Sequence, residues 1–314
     1  MTAPAGIIWL ASFPRSGNTW FRILLANLAA GDSGPADINK LGNAIASDRD
    51  EFEAVTLLDS GLMSGDDIDR LRPRVYERIA AEATEQHWIK AHDAYTLTPE
   101  GEPMFGRYAA RAAVYLVRDP RDVAISLAYH FGTTIDDAIE FINRPDGTLA
   151  DWRTGLPVQL RQKLHGWSGH VTSWLDQTHV PVHTLRYEEL VADPVAGFSA
   201  ALRFAEKPAT EAEIERAVRN ADFTELQRQE GEMGFAEGYV LRTAPFFRSG
   251  RAGGWRDKLT AEQIARIEEI NAPVMRRLGY ELSLIPRSAA ANDQRIAPVR
   301  AESVGSPDPS ASAV

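Results

Sequence analysis

Four short apolar or β-branched segments, at 7–13, 88–91, 112–117 and 182–185, read as strands, and the first and third are almost without polar residues. Near-continuous apolar runs of this length mark strands buried on both faces, as in the parallel sheets of α/β proteins. Between them the apolar spacing changes to three and four. It predicts helices over 19–30, apolar on nearly every side, over 68–83, amphipathic with a break at Pro73, and over 166–177 and 260–278. This alternation predicts one α/β domain over residues 1–285, with a central parallel β-sheet flanked by helices on both faces. Residues 286–314, mostly Ala, Ser, Pro, Asp and Arg, bury too little apolar surface to offset ordering entropy and are expected to form a disordered C-terminal tail. The stretch 225–245, with three glycines and weak periodicity, is too long for a connector and predicts a functional loop or lid. No internal repeat is evident.

Composition narrows the function classes. With 44% hydrophobic and 25% charged residues among 314, the chain is of ordinary globular type. It has no cysteine, which closes disulfide, thiolate-metal, iron–sulfur and cysteine-nucleophile chemistry. A net charge of −10 repels nucleic acid and anionic membranes, and no basic run offers a local exception. The longest apolar run near either end, 7–11, is far short of the roughly 18 residues of a membrane span. It also lacks the preceding basic cluster of a secretory signal, so a cytoplasmic location is expected. Only five of the 34 basic residues are lysines, at 40, 90, 163, 207 and 258, so the position of each lysine is informative.

Three places carry candidate chemistry. In I-I-W-L-A-S-F-P-R-S-G-N-T-W a strand, a short turn and a helix beginning near Thr19 point backbone N–H groups into the crevice at the strand's C-terminal end, which suits phosphate or sulfate. Arg15 adds a fixed charge, and Ser16, Asn18 and Thr19 add short polar groups beside Gly17. The ATP loop G-x-x-x-x-G-K-[ST] would need glycine at Ser12 and lysine at Asn18. The segment is therefore a different phosphate loop, or a plain strand–turn–helix corner with an exposed arginine. A second corner, A-A-V-Y-L-V-R-D-P-R-D-V-A-I-S, has Asp119 suited to N-cap, Pro120 to N1 and Asp122 to N3. Arg118 leaves the strand there, and Ser126 lies about two helical turns on. An anion near Arg118 competes with a capped helix bearing solvated arginines, the reading preferred for Arg121. Lys90 and His92, two apart at a strand end, face the same way. Histidine can take a hydroxyl proton, and lysine can stabilise a leaving oxygen.

F-P-R-S-G-N-T-W resembles the 5′-phosphosulfate loop Y-P-K-S-G-T-T-W of the cytosolic-type sulfotransferases, whose donor is 3′-phosphoadenosine 5′-phosphosulfate (PAPS). Arginine at position 15 keeps the lysine's charge in a bulkier, forked head. Arg118 and Ser126 match the 3′-phosphate motif R-N-x-K-D-x-x-x-S. F-F-R-S-G-R-A-G-G-W-R-D-K-L-T resembles R-K-G-x-x-G-D-W-K-x-x-F-T, with Arg248 and Gly250 matching, Ser249 in place of the lysine and Gly254 in place of the aspartate. I-K-A-H at 89–92, W-S-G-H-V-T-S-W at 167–174 and R-Y-E-E-L at 186–190 follow in the family's order.

The resemblance implies sulfuryl transfer from PAPS to a hydroxyl of a small organic acceptor by in-line displacement without a metal. It implies His92 as general base, and Lys90 with Arg15 stabilising the departing phosphate. The nucleotide would be held by Arg15, Ser16, Gly17, Asn18, Thr19, Arg118, Ser126, Arg248, Ser249 and Gly250, with adenine between Trp20 and Phe223 and edged by Tyr187. Core packing is an equal alternative for Phe223. The rival function is a P-loop small-molecule kinase using ATP and magnesium, which would leave Arg118, Ser126 and Arg248 without a common task. The remaining histidines, 87, 130, 165, 170, 179 and 183, have no metal-ligand spacing, and His170 on an apolar helix face is expected to be structural. Segments 32–66, 128–165 and 225–247, which would define the acceptor, match no motif. The family's dimerisation pattern K-x-x-x-T-V-x-x-x-E is degraded: Arg256 and Thr260 fit, while Ala261 and Ala265 do not. A homodimer need not use that contact.

Overall fold

The computed structural model describes residues 4–42, 44–151, 157–237 and 244–283. In chain order its elements are β1 (Gly6–Ser12), α1 (Asn18–Ala30), α2 (Arg49–Thr56), α3 (Gly65–Glu82), β2 (Gln86–Ala91), β3 (Ala110–Val117), α4 (Pro120–Phe131), α5 (Ile135–Asn143), β4 (Thr148–Leu149), β5 (Gln162–Lys163), α6 (Gly166–Asp176), β6 (Val182–Arg186), α7 (Tyr187–Ala192), α8 (Pro194–Phe204), α9 (Glu211–Asn220), α10 (Phe223–Met233) and α11 (Ala261–Arg277). The expected C-terminal tail at 286–314 lies outside the described residues.

Strands β2, β1, β3 and β6 pair in that order, all parallel. Every residue of β1 is buried, which explains its lack of polar alternation. Ile7, Trp9 and Ala11 point to one face, into a core shared with Tyr115, Trp167 and Trp174. Leu10 points to the other, against Phe21, Leu24, Phe198 and Leu202. Helices α3, α4, α5, α6 and α11 cover the first face, and α1, α8, α9 and α10 the second. The chain moves from β1 to β2 on one side and then places β3 on the other. The resulting switch point, outside the C-terminal ends of β1 and β3, is where ligands enter sheets of this kind. The loops leaving β1, β2, β3 and β6 all open on that edge.

Three features depart from the sequence expectation. Helix α3 runs through Pro73, although a proline inside a helix costs about 3 kcal/mol. Tertiary bonds hold both sides of it: Arg72 pairs with Asp93 at 2.7 and 3.0 Å, and Tyr76 donates to the carbonyl of Ala46 at 2.5 Å. The expected loop at 225–245 begins as helix α10, capped by the Asp222 side chain accepting from Thr224 N–H. Its inward face includes the polar Gln229 and Glu230 beside Leu226, so no apolar period was visible. Glu230 accepts the N–H groups of Phe246 and Phe247 and so anchors the returning chain, while 238–243 lie outside the described residues. Finally, β4 and β5 form a small antiparallel pair, Leu149 opposite Gln162, in a region without readable strand signal.

The end of β2 is locked from below. The Asp93 carboxylate, fully buried, holds Arg72 and accepts Lys163 N–H, while its carbonyl accepts the Trp174 indole at 3.0 Å. Removing one partner of a buried pair strands the other charge. Asp93→Ala should therefore lose about 3–5 kcal/mol of stability by urea denaturation.

Candidate active site

The turn after β1 is shaped for an anion. Gly17, at φ 101°, caps α1 with no side-chain hydrogen bond, and the first turn of α1 carries no acidic residue. A Cβ on Gly17 would meet the Tyr187 ring at 2.7 Å, so the backbone passes where a side chain cannot. Ser16 is fully buried, and its Oγ has no hydrogen-bond partner. The Asn18 amide nitrogen is turned to β1, donating to Leu10 O at 2.9 Å and Ser12 Oγ at 3.1 Å. Arg15 adopts a left-handed conformation, φ 70°, which is strained for a side chain of this size. Arg118 donates to its carbonyl at 3.2 Å. The Arg15 guanidinium donates through Nε to Ser126 Oγ at 3.0 Å and lies over the Phe246 ring at 4.2 Å.

Arg118 joins the separate loops. It reaches the carbonyls of Arg15 and Arg251, stacks over Tyr187 at 4.3 Å, and keeps a buried Nε without a partner. Arg248 lies over the Tyr129 ring at 4.2 Å. Gly250, at φ 57°, passes so close to Phe223 that a Cβ would stand 2.6 Å from its ring. The glycine-rich loop is tied down by Asp122, which accepts the N–H of Gly253 at 2.6 Å and of Trp255 at 2.9 Å. That is a second task for a residue expected only to serve a helix N-terminus. Arg121 departs from expectation: its guanidinium is buried over Trp255 at 3.7 Å and paired with Asp119 and Glu268. It is structural, but not solvated.

Lys90 and His92 stand at the end of β2. His92 Nδ1 lies 2.8 Å from Ser12 O, so in the neutral ring Nδ1 donates and Nε2 keeps the lone pair. Burial holds the His92 pKa well below the usual value, and the neighbouring Lys90 charge acts in the same direction. The carbonyl of His92 accepts from His170 Nε2 at 3.0 Å, and His170 Nδ1 meets the Tyr115 hydroxyl at 2.8 Å. His170 thus has the structural place expected of it, with burial pushing its pKa down to about 3. Burial also lowers the Lys90 pKa, against the pull of Glu237.

All the sequence-derived site residues except Ser16 line one cavity of about 790 Å³. Trp20, Tyr187 and Phe223 are among its lining residues, with Trp20 edge-on to Tyr187 at 6.2 Å and its indole N–H on Ala221 O. The three segments without motifs supply much of the remaining wall, among them Ile45, Phe131, Leu149, Val158 and Phe246. Sequence reasoning missed His130, whose Nδ1 is 3.5 Å from Arg15. Its position four residues after Ser126 on a helix was the available signal. It also missed Glu237, which contacts Lys90 and for which no motif speaks. Among the described residues no cluster of His, Asp or Glu has the arrangement of a metal site. Nor is any helix among them long and apolar enough to cross a membrane.

Two histidines held neutral by burial carry a stability consequence. Below pH about 6.5 the unfolded chain takes up protons that the folded His92 and His170 refuse, so their contribution is complete above 6.5 and falls as pH drops. Each adds a slope of up to about 1.4 kcal/mol per pH unit. Urea midpoints measured between pH 7.5 and 5 should fall accordingly, and His170→Gln should flatten that dependence.

The sequence and the fold both have recognised relatives. Residues 6–279 match the family model described as a sulfotransferase domain. The chain is 24% identical over 283 residues to luciferin sulfotransferase of Photinus pyralis, covering 83% of this chain and 70% of that protein. It is 26% identical over 280 residues to Sulfotransferase 1B1 of Mus musculus, covering 84% and 81%. The solved structure of retinol dehydratase in complex with androsterone and the inactive cofactor PAP shares its fold, with a TM-score of 0.55, 21% identity and coverage of 89% and 82%. With a family match spanning nearly all of the described chain, from β1 to beyond the end of α11, this protein belongs to the sulfotransferase family.

Proposed function

We propose that the protein transfers a sulfuryl group from PAPS to a hydroxyl of a small, largely apolar organic acceptor, with His92 as general base. The observation that carries this reading is the position of Arg118. It touches both the loop after β1 and the glycine-rich loop, and it lines the same cavity as Ser126 and Arg248. A second basic cluster beside a 5′-phosphate loop suits a nucleotide with an additional 3′-phosphate. ATP would leave that cluster unfilled. The residues fit such a donor in further respects. Ser16 Oγ and Arg118 Nε are buried polar atoms without partners, and at Gly17 and Gly250 the backbone runs against the Tyr187 and Phe223 rings where no Cβ fits.

In the proposed reaction His92 Nε2 takes the acceptor's hydroxyl proton as its oxygen bonds to sulfur, while the bond from sulfur to the 5′-phosphate oxygen breaks. Lys90 and Arg15 stabilise the charge that collects on the departing phosphate. The loop after β1 and α1 hold the 5′-phosphate side, and Arg118, Ser126, Arg248 and Ser249 hold the 3′-phosphate. Trp20 and Phe223 stack on adenine, an interaction of about 1–3 kcal/mol per base. The apolar wall built by Ile45, Phe131, Leu149, Val158 and Phe246 receives the acceptor and excludes water from the transferring group.

Calorimetry in metal-free buffer should give 3′-phosphoadenosine 5′-phosphate (PAP) binding about 10- to 100-fold tighter than ADP, as charge-assisted hydrogen bonds to the 3′-phosphate require. Preference for ATP with magnesium would overturn the reading. His92→Ala should lower turnover of PAPS with a phenol acceptor by about 10² to 10⁴ and leave PAP affinity unchanged. Because the histidine pKa is depressed, the acid limb of wild-type turnover should lie below pH 6.5.

A further inference from the structure

Beside the proposed catalytic pair lies a charge arrangement that the reaction as described does not use. Glu237, on the chain segment that follows α10, places Oε1 2.6 Å from Arg22 Nη1 of α1 and Oε2 3.5 Å from Lys90 Nζ at the end of β2. All three side chains are largely withdrawn from water, at 7% exposure for Arg22, 13% for Lys90 and 30% for Glu237. Arg22 is itself fixed by donating to the carbonyl of Gly42 at 2.7 Å. One carboxylate thus bridges a cation on the phosphate-loop helix and a cation on the strand that carries His92.

We propose that Glu237 is a positioning residue for sulfuryl transfer: anchored by Arg22, its carboxylate fixes the Lys90 ammonium beside His92. The inference rests on the role proposed for Lys90.

A lysine head group on a four-carbon stem has many rotamers, and fixing it requires a partner whose own position is set. Glu237 has such a partner in Arg22, at the short distance of a charge-assisted bond. The contact with Lys90 is longer, and it engages one of three N–H donors, leaving two for the transferring group and the departing phosphate. Charge supports the same reading. Lys90 is faced by Glu237, by Arg22 from α1, by Arg15 from the loop after β1 and by His92 on its own strand end. Burial and the two arginines disfavour its charged form, and Glu237 opposes them. Burial would raise the Glu237 pKa, but Lys90 and Arg22 hold it below the ordinary carboxylate value. Arg22, Lys90 and Glu237 together retain one positive charge beside the incoming anion.

The chain has only five lysines, so a protein labelled with ¹³C-lysine gives five side-chain signals, and Lys90→Arg assigns the Lys90 signal by its disappearance. In Glu237→Gln the Lys90 titration midpoint should move down by about one pH unit. Hydrolysis of PAPS by water, which needs no identified acceptor, should fall about 10- to 100-fold in Glu237→Gln, recover in part in Glu237→Asp, and leave PAP affinity within about twofold. Lys90→Met is run alongside. If it slows hydrolysis while Glu237→Gln leaves both the rate and the Lys90 midpoint unchanged, the positioning role is overturned and the role of Lys90 stands. If Lys90→Met leaves hydrolysis unchanged, the role of Lys90 falls and this inference falls with it.

Discussion

Arg15, Lys90, Arg118 and Arg248 all border one crevice of an acidic protein, with Arg22 held behind it through Glu237, and their mutual repulsion has to be contained before any anion arrives. Several of their contacts restrain position without cancelling charge. Arg118 bonds two backbone carbonyls and lies over Tyr187; Arg15 bonds Ser126 and lies over Phe246; Arg248 lies over Tyr129. Carbonyl dipoles and aromatic faces attract a cation and leave its field largely intact. Glu237 differs, because it brings a full negative charge to Lys90 and Arg22.

That containment depends on how the fold delivers the loops. Parallel pairing of β2, β1, β3 and β6 brings four strand ends to one edge, so Arg15, His92, Arg118 and Tyr187 meet although they are far apart in sequence. Ties beneath the edge then hold the backbones still. Ser12 O orients the His92 ring, His170 and Tyr115 hold the His92 carbonyl, and Asp93 anchors the next residue to Arg72 and Trp174. On the other side Asp122 secures the glycine-rich loop through Gly253 and Trp255. Positioning of this kind is what makes fixed dipoles and charges effective on a reacting group.

The elements that bury apolar residues on a regular period were legible in the chain. The four sheet strands agree with observation to within two residues, as do the starts of α1, α6 and α11. The strand–turn–helix corners carrying Arg15 and Arg118 were legible for the same reason, since a turn followed by a capped helix start has its own local chemistry. Helix α10 was not, because the face it buries includes Gln229 and Glu230, which bond backbone groups of distant segments. The course of α3 through Pro73 was hidden similarly, the compensation coming from residues far along the chain.

By itself, the sequence determined the strands, the two strand–turn–helix corners and the Lys90–His92 spacing, because each arises from contacts within a few residues or from a repeating period. Only the tertiary structure decided that residues of segments 32–66, 128–165 and 225–247 line the cleft, that Asp122 reaches Gly253, and that Glu237 meets Lys90 and Arg22. Those pairings join residues more than a hundred positions apart. Their energies come from burial, which strengthens a hydrogen bond or an ion pair by removing water, and burial is a property of the assembled fold.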